Sequence, residues 1–148
     1  MNLKKVLYPD VISLDLPGDT KNEIIESLLD LLVGTGKVKD RDAALACILE
    51  REKKMSTGIQ NGVAIPHGKT PVVDELVACV GMKKAGVDFE ALDNQPSKIF
   101  VMTLSPVNRT GPHLQFLAEV GQLLKQKNQR EALLAAATKE EVLSIIVP

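Results

Sequence analysis

The sequence predicts an α/β domain in three layers, a mixed and mostly buried β-sheet with helices on both faces. Three observations carry that expectation. Apolar residues recur at helical spacing behind side-chain caps, two short runs rich in β-branched residues lie between turn signals, and segments of the two kinds alternate along the chain. With 148 residues, 45% hydrophobic and 25% charged, the proportions are those of a single globular domain over 1–148. A chain of this size buries roughly 70% of the surface it exposes when unfolded, enough for a core without disulfide or metal staples.

Thr20-Lys21-Asn22-Glu23 has the form of a capping box, and Ile24, Ile25, Leu28, Leu29, Leu31 and Leu32 follow at helical spacing until Gly34 and Gly36. Asp40 caps a second helix, with Ala43, Ala44, Cys47 and Ile48 as its apolar stripe and Glu50-Arg51-Glu52-Lys53-Lys54 as its charged end. Ser56 to Gly62 is turn chemistry, leading through Val63-Ala64-Ile65 into Pro66-His67-Gly68. Leu76 to Met82 and Ile99 to Leu104 predict buried strands, with Asp93-Asn94-Gln95-Pro96 as the turn before the second. Thr110-Gly111-Pro112 opens a helix with His113 in its first turn and Leu114, Leu117, Gly121 and Leu124 along one face. A second capping box, Thr138 to Glu141, starts a terminal helix carrying Val142, Leu143, Ile145 and Ile146.

Several function classes fit poorly. Eighteen Lys and Arg against 19 Asp and Glu leave a formal net charge of −1, without the basic footprint of a nucleic-acid binder. Cys47 and Cys79 sit among apolar neighbours and read as buried free thiols, which suits a reducing compartment. No apolar run follows the lysines at the start of the chain, so no signal peptide is expected. The longest charge-free stretch, Met55 to Gly68, is broken by three glycines and a proline and cannot span a bilayer as a helix. These readings place the protein in the cytoplasm. Gly62 to Thr70 approaches a phosphate-cradling loop, but five residues rather than four precede Gly68-Lys69-Thr70, and Pro66 removes a backbone donor from the arc. The strand Ile99 to Leu104 also lacks an aspartate to hold Mg²⁺. No Cys/His cluster has metal-ligand spacing, so neither metal nor cofactor is expected.

Of the two histidines, His67 draws attention first. Held between Pro66 and Gly68 after an apolar run, it is presented at a strand end on a constrained backbone, where sites of α/β sheets gather. Neutral imidazole keeps a nucleophilic nitrogen. Arg51 taken alone is a solvated helix-end charge, and His113 opens a helix, where an anion is favoured. Ser56 and Thr57 either offer hydroxyls to a phosphoryl group or only cap and turn.

Together, Arg51-Glu52, Ser56-Thr57-Gly58-Ile59, Asn61 to Gly68 and the helix-opening His113 resemble the fructose/mannitol-type enzyme IIA of the bacterial phosphoenolpyruvate-dependent sugar phosphotransferase system, which includes nitrogen-regulatory members. Asp88 to Pro96 extends the resemblance over nearly the whole chain. It implies a phosphocarrier in which His67 accepts a phosphoryl group from the carrier protein HPr and passes it to a IIB component for sugar uptake. It also implies Arg51 as the cation that stabilises phosphate and His113 as a supporting histidine. The alternative is a regulatory protein whose His67 phosphorylation state controls binding to a partner. Neither scheme needs a nucleotide, a metal or membrane insertion, although docking on a membrane permease complex is compatible with the first.

Overall fold

The computed structural model describes residues 2–148. Its sheet is built around an antiparallel pair, β4 (Val77–Val87) and β5 (Ser97–Ser105). A two-residue β1 (Ile12–Ser13) runs parallel to β4 on one edge. On the other edge β2 (Val63–Ala64) and β3 (His67–Lys69) both run parallel to β5. Val63 faces Ile99 and His67 faces Thr103, so β2 and β3 keep one register and are one edge strand interrupted at Ile65-Pro66. Pro66 has no N–H to give the ladder, and the Ile65 N–H turns away to the Thr57 carbonyl at 3.0 Å.

Helices cover both faces. In α1 (Lys21–Val33) the expected capping box is complete: Thr20 Oγ1 accepts from the Glu23 N–H, and the Glu23 carboxylate accepts from the Thr20 N–H. Its buried face, Ile24, Ile25, Leu28, Leu29 and Leu32, packs on β4. Asp40 caps α2 (Arg41–Lys54) by accepting from the Ala43 N–H at 3.1 Å. Then come α3 (Thr110–Leu124), α4 (Lys127–Ala135) and α5 (Lys139–Ile146), each packed on its sequence neighbour. Val77 to Met82 and Ile99 to Leu104 are buried at every position, as layers on both sides require. No helix among the described residues is long and apolar enough to cross a membrane.

The differences from expectation have local causes. The buried face of α3 is His113, Phe116, Val120 and Leu124, whereas Leu114 is 59% exposed. The two sets of positions have nearly the same spacing, so periodicity alone does not choose between adjacent faces. Cys79 is buried and donates to the Leu28 carbonyl, but Cys47 is only half buried, its thiol 3.2 Å from the Lys69 carbonyl. β4 runs past Met82 to Val87, held by its ladder across a register shift rather than by burial. No apolar stripe announces α4, where only Leu133 is buried.

Candidate functional site

His67 stands at the first position of β3, immediately after the interruption. Its Nδ1 lies 2.8 Å from the Ile65 carbonyl oxygen, which can only accept a hydrogen bond. Nδ1 therefore carries the proton, and Nε2 keeps its lone pair. Burial pulls the His67 pKa below the ordinary 6.5, the charge of Arg51 acting in the same direction against the Ile65 carbonyl and Glu52. The ring is thus neutral and nucleophilic at physiological pH.

The His67 ring lies 5.5 Å from that of His113, centroid to centroid, at 54° between planes. His113 is nearly buried on the first turn of α3, and its Nδ1 pairs with the Ser105 hydroxyl at 2.9 Å. Burial lowers its pKa as well, helped by the neighbouring His67 and Lys69. Both rings line an open cleft of ≈ 390 Å³ with Cys47, Arg51, Lys54 and Lys69, and Glu50 is the one carboxylate on its wall.

Arg51 reaches this cleft from the last turn of α2, where basic residues complement the helix dipole. One of its N–H groups donates to the Met55 carbonyl at 2.8 Å, which fixes the guanidinium without neutralising it. Lys69 Nζ donates to Thr110 Oγ1 at 2.7 Å, tying β3 to the start of α3. Among the described residues, neither Arg51 nor Lys69 is ion-paired with a carboxylate. The strand-to-helix tie and the interrupted edge together bring His67, His113 and Arg51 to one opening.

Ser56 and Thr57 lie elsewhere. The Ser56 hydroxyl donates to the Phe89 carbonyl at 2.8 Å and accepts from the Gly58 N–H. The Thr57 hydroxyl and N–H both bond to the Glu52 carboxylate. Glu52 is itself buried and accepts from Lys21 Nζ at 2.9 Å. Neither hydroxyl lines the cleft around His67, and both fix the loop that follows α2. A larger cleft of ≈ 560 Å³ opens beside Ser56, but Lys21, Glu52 and Glu90 on its wall already pair with one another.

Sequence reasoning missed four contributors. Glu52 was legible, because Ala44, Ile48 and Glu52 fall four residues apart on one helical face. Ser105, Lys69 and Cys47 carried no such signal, since their roles depend on contacts between distant segments.

Residues 5–147 match the family model for the phosphoenolpyruvate-dependent sugar phosphotransferase system, EIIA 2. The chain belongs to that family. A fructose-specific EIIA component from Haloferax volcanii is 41% identical over 137 residues, covering 93% of this chain and 89% of the relative. The crystal structure of nitrogen regulatory protein IIA-Ntr from Neisseria meningitidis superposes with a TM-score of 0.91 at 31% identity, covering 97% of this chain and 98% of the other. The Escherichia coli IIAMTL, solved in complex with phosphorylated IIBMTL, shares the fold with a TM-score of 0.81 at 23% identity, covering 95% of this chain and 96% of the other. This EIIA chain is accordingly a phosphotransfer component by family, with similarity to both the fructose-specific and the nitrogen-regulatory branches.

Proposed function

We propose that this EIIA protein is a covalent phosphoryl relay in which His67 Nε2 accepts the group from phosphorylated HPr and passes it to a IIB component. The observation that carries this reading is the Nδ1 contact of His67 with the Ile65 carbonyl, which leaves Nε2 as an unprotonated nucleophile beside Arg51. In the first transfer the Nε2 lone pair forms a bond to phosphorus, and the N–P bond of the donor breaks with its electron pair going to the donor imidazole. His67 keeps its Nδ1 proton throughout, so the attack needs no general base. In the second, a IIB thiolate attacks phosphorus and Nε2 leaves with its electron pair.

Such transfer is mostly positioning and charge stabilisation. The Arg51 guanidinium can donate paired hydrogen bonds to phosphoryl oxygens, a geometry that lysine does not offer. Its charge is available because its fixed partner is a neutral carbonyl. The similarity to IIA-Ntr supports a second reading, a regulator whose phosphorylation at the same nitrogen sets its affinity for a protein partner.

Intact mass after incubation with phosphoenolpyruvate, enzyme I and HPr tests the relay. A single acid-labile phosphoryl adduct is expected on the wild type and none on His67→Ala, whose melting curve stays cooperative. An unchanged adduct on His67→Ala would remove His67 from the reaction. Transfer onward to an isolated IIB domain then separates the transport reading from the regulatory one.

A further inference from the structure

Ser105 ends β5 with 0% exposure, its hydroxyl against the ring nitrogen of His113, which is 5% exposed. A hydroxyl can donate to an imidazole nitrogen or accept from it, so the 2.9 Å contact to Nδ1 leaves two arrangements open. They differ in what becomes of the serine proton. If His113 donated, the buried Ser105 O–H would need another acceptor, and Oγ has no other hydrogen-bond partner among the described residues. If Ser105 donates, only acceptor lone pairs of Oγ go unused. Stranding a buried donor is the costlier outcome, so the hydroxyl donates and Nδ1 accepts.

We propose that Ser105 is a positioning residue that places the imidazole proton of His113 on Nε2, making this ring a neutral donor toward a phosphoryl group on His67. The two histidines then hold opposite tautomers. The Ile65 carbonyl draws the proton of His67 to Nδ1 and leaves Nε2 bare, while the Ser105 hydroxyl drives the proton of His113 to Nε2. Two rings of one residue type, 5.5 Å apart, thereby become a nucleophile and a hydrogen-bond donor. Burial and the charge of Lys69 keep His113 neutral, the state in which its tautomer decides what it offers. The Lys69 to Thr110 bond holds the first turn of α3, and with it the ring, over the cleft. The donor role rests on the phosphocarrier reading, whereas the tautomer itself does not.

Imidazole ¹⁵N spectra of the free protein at about pH 8, where both rings are neutral, read the tautomers without any phosphoryl donor. The wild type is expected to show Nε2–H at His113 and Nδ1–H at His67, and Ser105→Ala a mixture at His113 with His67 unchanged. Nδ1–H at His113 in the wild type, or an unaltered His113 spectrum in Ser105→Ala, overturns the assignment. Phosphoryl acceptance from phosphorylated HPr should slow about tenfold in Ser105→Ala, the loss of roughly one neutral hydrogen bond. A second pair of variants leaves the serine in place. His113→Gln can set an amide N–H near the position of Nε2 and should retain acceptance about tenfold better than His113→Asn, whose shorter amide lies near Nδ1. Equal rates in those two variants would refute the donor role. If the wild type forms no adduct but shows the stated tautomers, the phosphocarrier reading fails and the assignment of Ser105 stands.

Discussion

The ion-paired cations outside the cleft and those around His67 are held in different ways. Arg41 meets the Asp30 and Glu26 carboxylates at 2.8 and 3.2 Å, Lys39 meets Asp74 at 2.6 Å, and Lys21 meets the buried Glu52 at 2.9 Å. In the cleft, Arg51 is fixed by a carbonyl and Lys69 by a hydroxyl. Both kinds of contact orient a long side chain, but only the first neutralises it. The difference separates cations that serve the fold from cations kept available for an anion that comes and goes, within a chain whose overall charge is close to zero.

The strongest way to break this contrast is Arg51→Ala. Phosphoryl acceptance should fall about a hundredfold or more, as on losing one preorganised donor to a developing anion, with little change in melting temperature. Arg51→Lys should recover only part of the rate, because the paired donor geometry is gone. A normal rate in Arg51→Ala, measured by rapid-quench labelling, would return Arg51 to the surface charges.

Glu52→Ala should act in the opposite sense, on stability before transfer. It strands the Thr57 N–H and hydroxyl and leaves Lys21 only its longer contact to Glu90 at 3.5 Å, at a cost of about 2 to 3 kcal/mol in urea unfolding. Glu52→Gln keeps an acceptor for Thr57 and should lose less. An unfolding midpoint unmoved by either change would mean that the carboxylate does not hold the loop.

A smaller effect should appear with pH. Burial holds both imidazoles below 6.5, with Arg51 acting on His67 and Lys69 on His113. As pH falls through 6.5 the unfolded chain takes up protons that the folded rings refuse, so stability should decline there and level off once the folded pKa values are passed. The decline should be shallower in His67→Gln, and His67 should remain a competent acceptor somewhat below pH 6.5. Melting temperatures and labelling rates from pH 8 to pH 5 test both. The smallest effect belongs to Arg41→Ala, which removes exposed ion pairs and should leave the urea midpoint nearly unmoved with unchanged acceptance.

What the sequence disclosed follows the reach of each interaction. The caps of α1, α2 and α5 use residues three apart, and all three side-chain caps are present, although at α5 the Glu141 carboxylate takes the Ala137 N–H instead of closing the box on Thr138. The central strands were visible because burial on both faces leaves a continuous apolar run. β1 was too short to make a pattern, and α4 has no apolar stripe, so tertiary packing defines both. At the site, Pro66-His67-Gly68 is local and stood out, whereas the pairing of Ser105 with His113 joins a strand end to a later helix. The hydroxyls of Ser56 and Thr57 suggested phosphate by composition alone, and the structure engages them with Phe89 and Glu52.

The break at Ile65-Pro66 has a further effect on the company this protein keeps. An uninterrupted outer strand would present a row of vacant backbone groups on which the strand of another molecule could grow, the usual route to aggregation. Here Ile65 turns its N–H to Thr57, Gly58 bridges Ala64, and Pro66 has no N–H to offer, while the opposite margin is the two-residue β1. Neither margin offers a foreign strand a long template. The interruption that presents His67 therefore also denies a second copy of the chain a long strand edge on which to pair.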